Sequence, residues 1–445
     1  MIIRSPVHLL IVAGVGTIIF LLPEVPLTLK KGLFIFWVIA YLWVSALIHL
    51  SATALLVPIL GILLNVNGTR ELLAYFAHPI IFLFLGGFSL ATAFRKQGLD
   101  KLIAAKLLSL SKGHMLYSSL LLFTATALLS MWMSNTAVAT MMLPLALGLL
   151  SAFNPDEQPR VYYFVLLGIA YSASVGGMGT LVGSPPNAIV AGALDLTFLD
   201  WIKIGLPSSL IILPILWLIL YWLIRPASIQ LKAQAVDTKL SQAQIVTLVI
   251  FFLTIIAWLF SHPLSKVFNV TKSFDSVIAM CALLLLILTR MISWKDLEKG
   301  TDWGVLILFG GGLCLGGILS DTGTTEFLAI SFSSLFSNTA FVIFLIGLIT
   351  FVVFLTELTS NTASTALLVP IFIGIAHTLN YSPHFFAIAI GLSASCAFML
   401  PVATPPNALV FGTGFVPQRK MMQIGLVLNL VIIVLLTLLI HLFFR

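Results

Sequence analysis

The sequence predicts an all-α polytopic membrane protein, on three observations. Only 8% of its 445 residues are charged and 60% are hydrophobic, whereas soluble domains carry roughly 25% charged residues. The apolar residues also run in long blocks. Residues 113–155 and 358–418 contain no Asp, Glu, Lys or Arg, and one transmembrane helix needs about 20 apolar residues, so each block enters and leaves the bilayer more than once. Finally, the blocks are continuously apolar rather than alternating, which points to helices and not to a barrel. The expected architecture is about 11 transmembrane helices plus two re-entrant hairpins in an inverted-topology repeat. Secreted enzymes, nucleic-acid binders and disulfide scaffolds are excluded on composition.

Breaks at charges, Pro and Gly place spans near 7–22, 33–49, 51–65, 79–94, 161–180, 205–224, 245–261, 274–289, 304–320, 385–401 and 423–443. The first is read as a retained span and not a signal peptide, because Pro23-Glu24 follows it without a small-residue cleavage pattern. Two further apolar stretches, 116–150 and 341–379, have no charged loop between their halves. A polar tripeptide interrupts each instead, Ser134-Asn135-Thr136 and Ser360-Asn361-Thr362, and these are the expected hairpins. The longest polar stretch, from Arg225 to Gln244, is a linker.

Basic residues orient the chain through the positive-inside rule. With the N-terminus in the cytoplasm, 15 basic residues face inward, including the cluster Arg95, Lys96, Lys101, Lys106 and Lys112, and 7 face outward. This puts the C-terminus outside, hairpin 116–150 on the cytoplasmic side and hairpin 341–379 on the outer side. It also accounts for the net charge of +7 without nucleic acid. The expected location is the plasma membrane, the inner membrane in a bacterium. Cys281, Cys314 and Cys396 read as small buried hydrophobes. The eight scattered histidines and the three cysteines show no metal-ligand spacing.

An internal repeat is visible in the letters. Phe84-Leu85-Gly86-Gly87 with Leu90 and Gly98 matches Phe309-Gly310-Gly311-Gly312 with Leu315 and Gly323 at an offset of 225. Ser134-Asn135-Thr136-Ala137 with Pro144 matches Ser360-Asn361-Thr362-Ala363 with Pro370 at an offset of 226. Ser184-Pro185-Pro186-Asn187-Ala188 matches Thr404-Pro405-Pro406-Asn407-Ala408 at an offset of 220. The expected organisation is an N-terminal span outside the repeat (1–32), a first repeat (33–225, with a broken helix at 180–187), a linker (226–244) and a second repeat (245–445, with a broken helix at 401–407).

These motifs have a common chemistry. At a hairpin tip a second helix begins, and its free N–H groups carry partial positive charge that attracts anions. The preceding helix ends in free carbonyls, which suit a sodium ion. Each Pro-Pro pair removes two N–H donors and breaks a helix at mid-span, freeing carbonyls and the hydroxyl of Ser184 or Thr404. Irregular backbone at that depth is tolerated where it is buried or lines a cavity. Gly176-Gly177-Met178-Gly179 lets backbones approach closely. Glu357, three residues before Ser360, is open to two readings: coupling of protons or ions, or a structural cap. An intramembrane enzyme needs a nucleophile–base pair or a metal cluster at depth, and the sequence has neither.

The segments Ser130-Met131-Trp132-Met133-Ser134-Asn135-Thr136-Ala137 and Thr356-Glu357-Leu358-Thr359-Ser360-Asn361-Thr362, with both Pro-Pro-Asn elements, resemble the divalent anion/sodium symporter (DASS) family. The resemblance covers 33–445 and implies a secondary active transporter, a homodimer in which a mobile domain moves against a fixed scaffold as an elevator. It implies substrate contacts from Asn135, Thr136, Ser184, Pro185, Asn361, Thr362, Thr404 and Pro405. It also implies one Na⁺ site at Ser130, Ser134, Asn135 and Gly183, and a second at Thr356, Thr359, Asn361 and Ala403, partly through carbonyls. No organic cofactor is implied. The chain departs from the family at Ser45-Ala46-Leu47-Ile48-His49-Leu50-Ser51, where an acidic, proline-containing stretch is usual. The expected activity is sodium-coupled symport of dicarboxylates such as succinate, malate or fumarate. The alternatives are a sodium-independent dicarboxylate exchanger and a sodium-coupled tricarboxylate or sulfate transporter.

Overall fold

The computed structural model describes residues 6–109, 114–151, 153–227, 240–270, 272–336 and 341–443, and its regular elements are helices. Most of the expected linker, together with Arg4, Lys112, Lys232, Lys239 and Arg445 of the charge count, lies outside the described residues. The chain opens with α1 (Pro6–Leu21), α2 (Leu27–Ser45), α3 (Leu50–Leu63), the short α4 (Thr69–Ala74), α5 (Pro79–Lys96) and α6 (Leu99–Ser109). The first hairpin is α7 (Met115–Ser130) with α8 (Asn135–Leu150), followed by α9 (Pro159–Gly177), α10 (Pro185–Ala193) and α11 (Phe198–Ile224). The same order then recurs: α12 (Gln242–Leu259), α13 (Ser261–Val267), α14 (Phe274–Leu288), α15 (Trp294–Gly300), α16 (Trp303–Asp321) and α17 (Thr324–Phe336). The second hairpin is α18 (Phe341–Leu358) with α19 (Asn361–Thr378), followed by α20 (Pro383–Ala394), α21 (Pro405–Gly412) and α22 (Gln418–Phe443).

Among the described residues, eight helical segments are long and apolar enough to cross a membrane, and six shorter apolar helices accompany them. The two arms of the second hairpin are among the eight. Several expected spans are shortened by breaks: 161–180 stops at Gly177 and 385–401 stops at Ala394. The hairpin interruptions also sit earlier than the tripeptides. Asn135 and Asn361 already open α8 and α19, because Ser134 and Ser360 act as N-caps, accepting from Ala137 N (3.3 Å) and Ala363 N (3.5 Å). The repeated glycines Gly98 (φ 65°) and Gly323 (φ 72°) follow α5 and α16 in the left-handed region, where a side chain is strained.

The helix pairs α5 with α14 and α3 with α16 are among the most extensively packed in the molecule. Matched glycines make them possible. A Cβ on Gly86 would lie 2.5 Å from Ala279 Cβ, and a Cβ on Gly311 would lie 2.5 Å from Ala54 Cβ. All four positions are related by the offset of 225, so one contact is built twice. Small residues that allow such approach are the usual means of packing helices where apolar burial gives no preference for neighbour over lipid. These helix pairs are tied further by Ser51 Oγ donating to Gly304 O (3.0 Å) and Lys96 pairing with Asp296 (2.7 Å). The unusual 45–51 segment is a turn between α2 and α3. Ala46 takes a left-handed conformation after α2, and His49 caps α3 by accepting from Ser51 N (3.3 Å).

Cys314 and Cys396 are buried as expected, but Cys281 is exposed. It lies on α14, whose buried residues Ile278, Ala279, Ala282 and Leu283 occupy the other face.

Because Gly311 and Gly86 touch backbone and Cβ atoms of a neighbouring helix, overpacking there has no slack. Gly311→Val should lower the stability of the purified protein by about 1–3 kcal/mol, read as a drop in its thermal unfolding midpoint in detergent. Gly148→Val, at a position with nothing within 4 Å, should leave that midpoint unchanged.

Candidate functional site

Four helices begin at the repeated motifs: α8 after Ser134, α10 after Ser184, α19 after Ser360 and α21 after Thr404. α8 and α19 therefore present free N–H groups at their starts, whereas α10 and α21 open on Pro185-Pro186 and Pro405-Pro406, which have none. Thr404 caps α21 by accepting from Asn407 N (3.2 Å), while the side chain of Ser184 makes no such cap. The four helices are interleaved, since α10 packs on α19 and α21 packs on α8, so each broken helix touches the hairpin of the other half. Ser184 and Thr404 are buried, Asn135, Asn361, Thr362 and Pro185 are half-buried, and Thr136 and Pro405 are exposed. No Lys or Arg occurs in 114–151, 161–194 or 358–418.

The first hairpin tip meets the unwound stretch 178–184. Ser130 Oγ donates to Ala173 O (2.7 Å) and lies 2.6 Å from Asn135 Oδ1. With the Asn135 amide turned over, its nitrogen donates to Ser130 Oγ (2.6 Å), Ala173 O (3.0 Å) and Gly183 O (3.3 Å). The amide thus fills the centre of a ring of oxygens. Glycine is required around that ring: a Cβ on Gly183 would lie 2.5 Å from Gly177 O and 2.8 Å from Ser130 O, and one on Gly177 would lie 2.4 Å from Asn135 Oδ1. Ser130, Asn135 and Gly183 are brought together as the motif implied. The hydroxyl of Ser134 is not among them, because it caps α8.

The second tip is organised differently. Thr356 Oγ1 donates to Val353 O (3.0 Å), Thr359 Oγ1 bonds Leu355 O (3.0 Å) and Ser364 Oγ (2.6 Å), and Ala403 N donates to Leu400 O (3.2 Å). Each is bonded within its own segment. Asn361 Oδ1 is buried without a hydrogen-bond partner and is the free acceptor of this tip.

Glu357, whose role the sequence left open, is a cap. Its Oε1 accepts from Phe398 N (2.7 Å), Met399 N (2.8 Å) and Asn429 Nδ2 (2.8 Å), and its Oε2 accepts from Leu400 N (2.9 Å). Three consecutive N–H groups freed by the broken helix α20–α21 are thereby satisfied by one carboxylate. Position 131 is its counterpart in the first half, and there the roles reverse: the Thr180 hydroxyl donates to Met131 O. The two Pro-Pro-Asn asparagines act alike. Asn187 Nδ2 donates to Gly177 O (2.8 Å) and Thr180 O (2.7 Å), and Asn407 Nδ2 to Ala397 O (3.0 Å) and Leu400 O (3.1 Å), positions related by the offset of 220. An aromatic donor completes each break, Trp201 Nε1 to Met178 O (3.0 Å) and Tyr171 OH to Phe398 O (2.7 Å).

Sequence reasoning quoted Asn187 and Asn407 as part of a repeat but gave them no role; their recurrence was the available signal. Thr180 carried none, because its counterpart is Leu400. Ala173 contributes only a carbonyl, which side-chain letters do not encode.

The chain matches the family described as the transmembrane region of sodium:sulfate symporters over residues 4–445. It is 47% identical over 413 residues to an uncharacterized transporter of Haemophilus influenzae, covering 91% of this chain and 90% of that protein. It is 33% identical over 450 residues to the sodium-dependent dicarboxylate transporter SdcS of Staphylococcus saprophyticus, covering 92% and 86%. Among solved structures, the YdaH transporter of Alcanivorax borkumensis superposes with a TM-score of 0.58 at 15% identity, covering 83% of this chain and 86% of that one, a likeness of fold alone. The chain is a multi-pass membrane transporter, not an enzyme, and it belongs to the sodium:sulfate symporter (DASS) family.

Proposed function

We propose that the protein is a sodium-coupled symporter of dicarboxylates of the succinate, malate and fumarate class. The observation that carries this reading is a pair of hairpin helix starts, interleaved with two helix breaks, in a region without a fixed cation. The starts of α8 and α19 each present roughly half an elementary positive charge, about +1 together, and co-transported sodium supplies the rest of the complement of a dianion. Substrate oxygens are held by Asn135, Thr136, Ser184, Pro185, Asn361, Thr362, Thr404 and Pro405, through side chains and the N–H groups beside them. The name of SdcS, a sodium-dependent dicarboxylate transporter, supports the substrate class.

Sodium is cargo here and also completes the site. At the first hairpin the oxygens of Ser130, Asn135, Ala173 and Gly183 form a donor set of the hard kind that alkali cations accept. The Asn135 nitrogen occupies the centre of that ring when the amide is turned over. A sodium ion displaces it, bringing Oδ1 inward and the amide N–H₂ toward the substrate. The second ion takes the free Asn361 Oδ1 with carbonyls near Thr356, Thr359 and Ala403, where the Glu357 carboxylate supplies the nearest fixed negative charge. Ion binding therefore orders both tips before the anion arrives.

Alternating access follows from two repeats of opposite orientation, 33–225 and 245–445 around the linker 226–244, with the span in 1–32 outside them. In this reading 11 helices cross the bilayer, the N-terminus is cytoplasmic, the C-terminus is outside and the hairpins enter from opposite faces. The hairpins, α9–α11 and α20–α22 move as an elevator against the scaffold of a homodimer in the plasma membrane.

In proteoliposomes, labelled succinate should accumulate against its gradient in sodium and not in choline. Equal uptake in choline would sink the coupling and favour exchange, and uptake of citrate or sulfate in place of succinate would reassign the substrate. Asn135→Ala and Asn361→Ala should each abolish uptake. Normal transport in both would refute the site.

A second prediction separates the cap from the site. Glu357→Ala leaves three backbone N–H groups of the break without an acceptor, at about 1–3 kcal/mol each. It should lower the thermal midpoint of the purified protein well below that of Asn361→Ala. Equal midpoints would show that Glu357 is not the support of the break.

A further inference from the structure

The start of α14 repeats the start of α3 at the offset of 225, and two hydrogen bonds recur with it. Ser276 Oγ donates to Pro79 O (2.7 Å) as Ser51 Oγ donates to Gly304 O (3.0 Å). Trp258 Nε1 donates to Asp275 O (3.0 Å) as Trp43 Nε1 donates to Leu50 O (3.2 Å). Between these matched bonds stands one unmatched side chain, a carboxylate at 275 where the first half has Leu50. An apolar residue satisfies the fold at this point, so the charge of Asp275 is an addition to it. The residue is 5% exposed. Its Oδ2 accepts from Phe198 N at the start of α11 (2.6 Å), and its Oδ1 is buried without a hydrogen-bond partner. The Ser261 hydroxyl faces the carboxylate without bonding to Oδ1. An ionised carboxylate offers about four acceptor positions, and a buried charge so thinly compensated is costly.

Asp275 lines a cavity of about 250 Å³ between α13 and the turns before α5, α11 and α14, with His78, Asp195, Ser261, His262 and Lys272. We infer that this cavity binds a monovalent alkali cation, sodium in a sodium-rich medium. Asp275 Oδ1 is its anionic ligand, and hydroxyl, carbonyl and water oxygens complete the shell. Asp195, Asp275 and Lys272 sum to a formal charge of −1 with the imidazoles counted neutral, the complement of one monovalent ion. Among the described residues no three His, Cys, Asp or Glu side chains are grouped so as to hold a metal ion. The imidazoles therefore make no transition-metal centre with the carboxylates, whereas a hard cation is served by oxygens alone.

The site is separate from the cargo sites at the hairpin tips. Its cavity reaches Ala191, at the other end of α10 from the break at Ser184, about 10 Å along the helix at 1.5 Å per residue. Four helices meet at Asp275: its own α14, α11 through Phe198 N, α12 through Trp258 Nε1, and α5 through the bond of Ser276 to Pro79 O. An ion on Oδ1 neutralises the charge at this junction and stabilises the folded chain by mass action. The inference does not rest on which anion is carried or on how the tip sites are built.

Thermal unfolding in detergent tests it without any carried anion. The parent is the purified chain with Asn135→Ala and Asn361→Ala, and sodium chloride is titrated against choline chloride at constant ionic strength. The midpoint should rise saturably by about 2 °C or more. Adding Asp275→Asn keeps an oxygen for Phe198 N and places an amide N–H₂ where the ion sits. It should remove the sodium shift and leave the midpoint in choline unchanged. Asp275→Leu, which installs the residue of the first half, should remove the shift as well. A sodium shift undiminished in both variants, or absent from the parent, overturns the inference. A shift produced by magnesium and not by sodium overturns the monovalent assignment. One that appears only after Lys272→Ala makes that lysine the counter-ion and also overturns it. Should the parent fail to fold, equilibrium binding of radioactive sodium decides. The wild-type chain should bind one more ion than Asp275→Asn, and equal counts overturn the inference.

Discussion

The organisation of this transporter depends on the hydrogen bonding of backbone groups freed where a helix is interrupted inside an apolar medium. An unsatisfied N–H or C=O there costs several kcal/mol, so a broken helix persists only where each freed group finds a partner. The chain solves this at both breaks with the same parts. A buried asparagine spans two carbonyls, 177 and 180 in one half and 397 and 400 in the other. An aromatic donor takes the carbonyl of Met178 or Phe398. A contact to the hairpin then locks the stretch, Thr180 to Met131 O in one half and Glu357 to three N–H groups in the other. The hairpin helices α8 and α19 open differently, on asparagines whose first-turn N–H groups lie outside this scheme.

That division explains why a carboxylate belongs in an anion carrier. Glu357 repels a dianion by simple Coulomb reasoning, yet it accepts from four donors at 2.7–2.9 Å and is buried away from solvent. Its charge is distributed over the break that it supports. The first half does without one because the donor and acceptor are exchanged, a side-chain hydroxyl giving to a backbone carbonyl. Two halves with the same order of helices therefore differ in local charge.

Much of this was legible in the letters, and the limits are physical. The membrane class followed from missing charge, and the hairpins followed from polar tripeptides inside apolar blocks. The interruptions were placed late because N-capping by Ser134 and Ser360 draws Asn135 and Asn361 into the first turn of the next helix, which hydropathy does not register. Eleven spans came from apolar runs, but a run does not reveal where a helix unwinds, so 385–401 reads as continuous although α20 ends at Ala394. Around the first tip, the proximity of Ser130, Asn135 and Gly183 was legible only through the resemblance of the motif that holds them. The carbonyls of Ala173, Gly177 and Leu400 were not, since any residue supplies a carbonyl.

The glycine pairs Gly86-Gly87 and Gly311-Gly312 show how matched sequence gives both equal and unequal contacts. In each pair the first glycine faces another scaffold helix and makes the same contact in both halves, Ala279 in one and Ala54 in the other. The second faces the elements that carry the site, and there the halves differ: Val182 at Gly87, Ala366 at Gly312. Adjacent residues on a helix point about 100° apart, so one dipeptide serves two interfaces at once. The hydrophobic tip residues follow the same logic, Trp132 packed between Phe198 and Phe251 while its counterpart Leu358 is 73% exposed. Matched sequence therefore sets which residues lie at each interface, while the packing of the two halves sets which partner fills it.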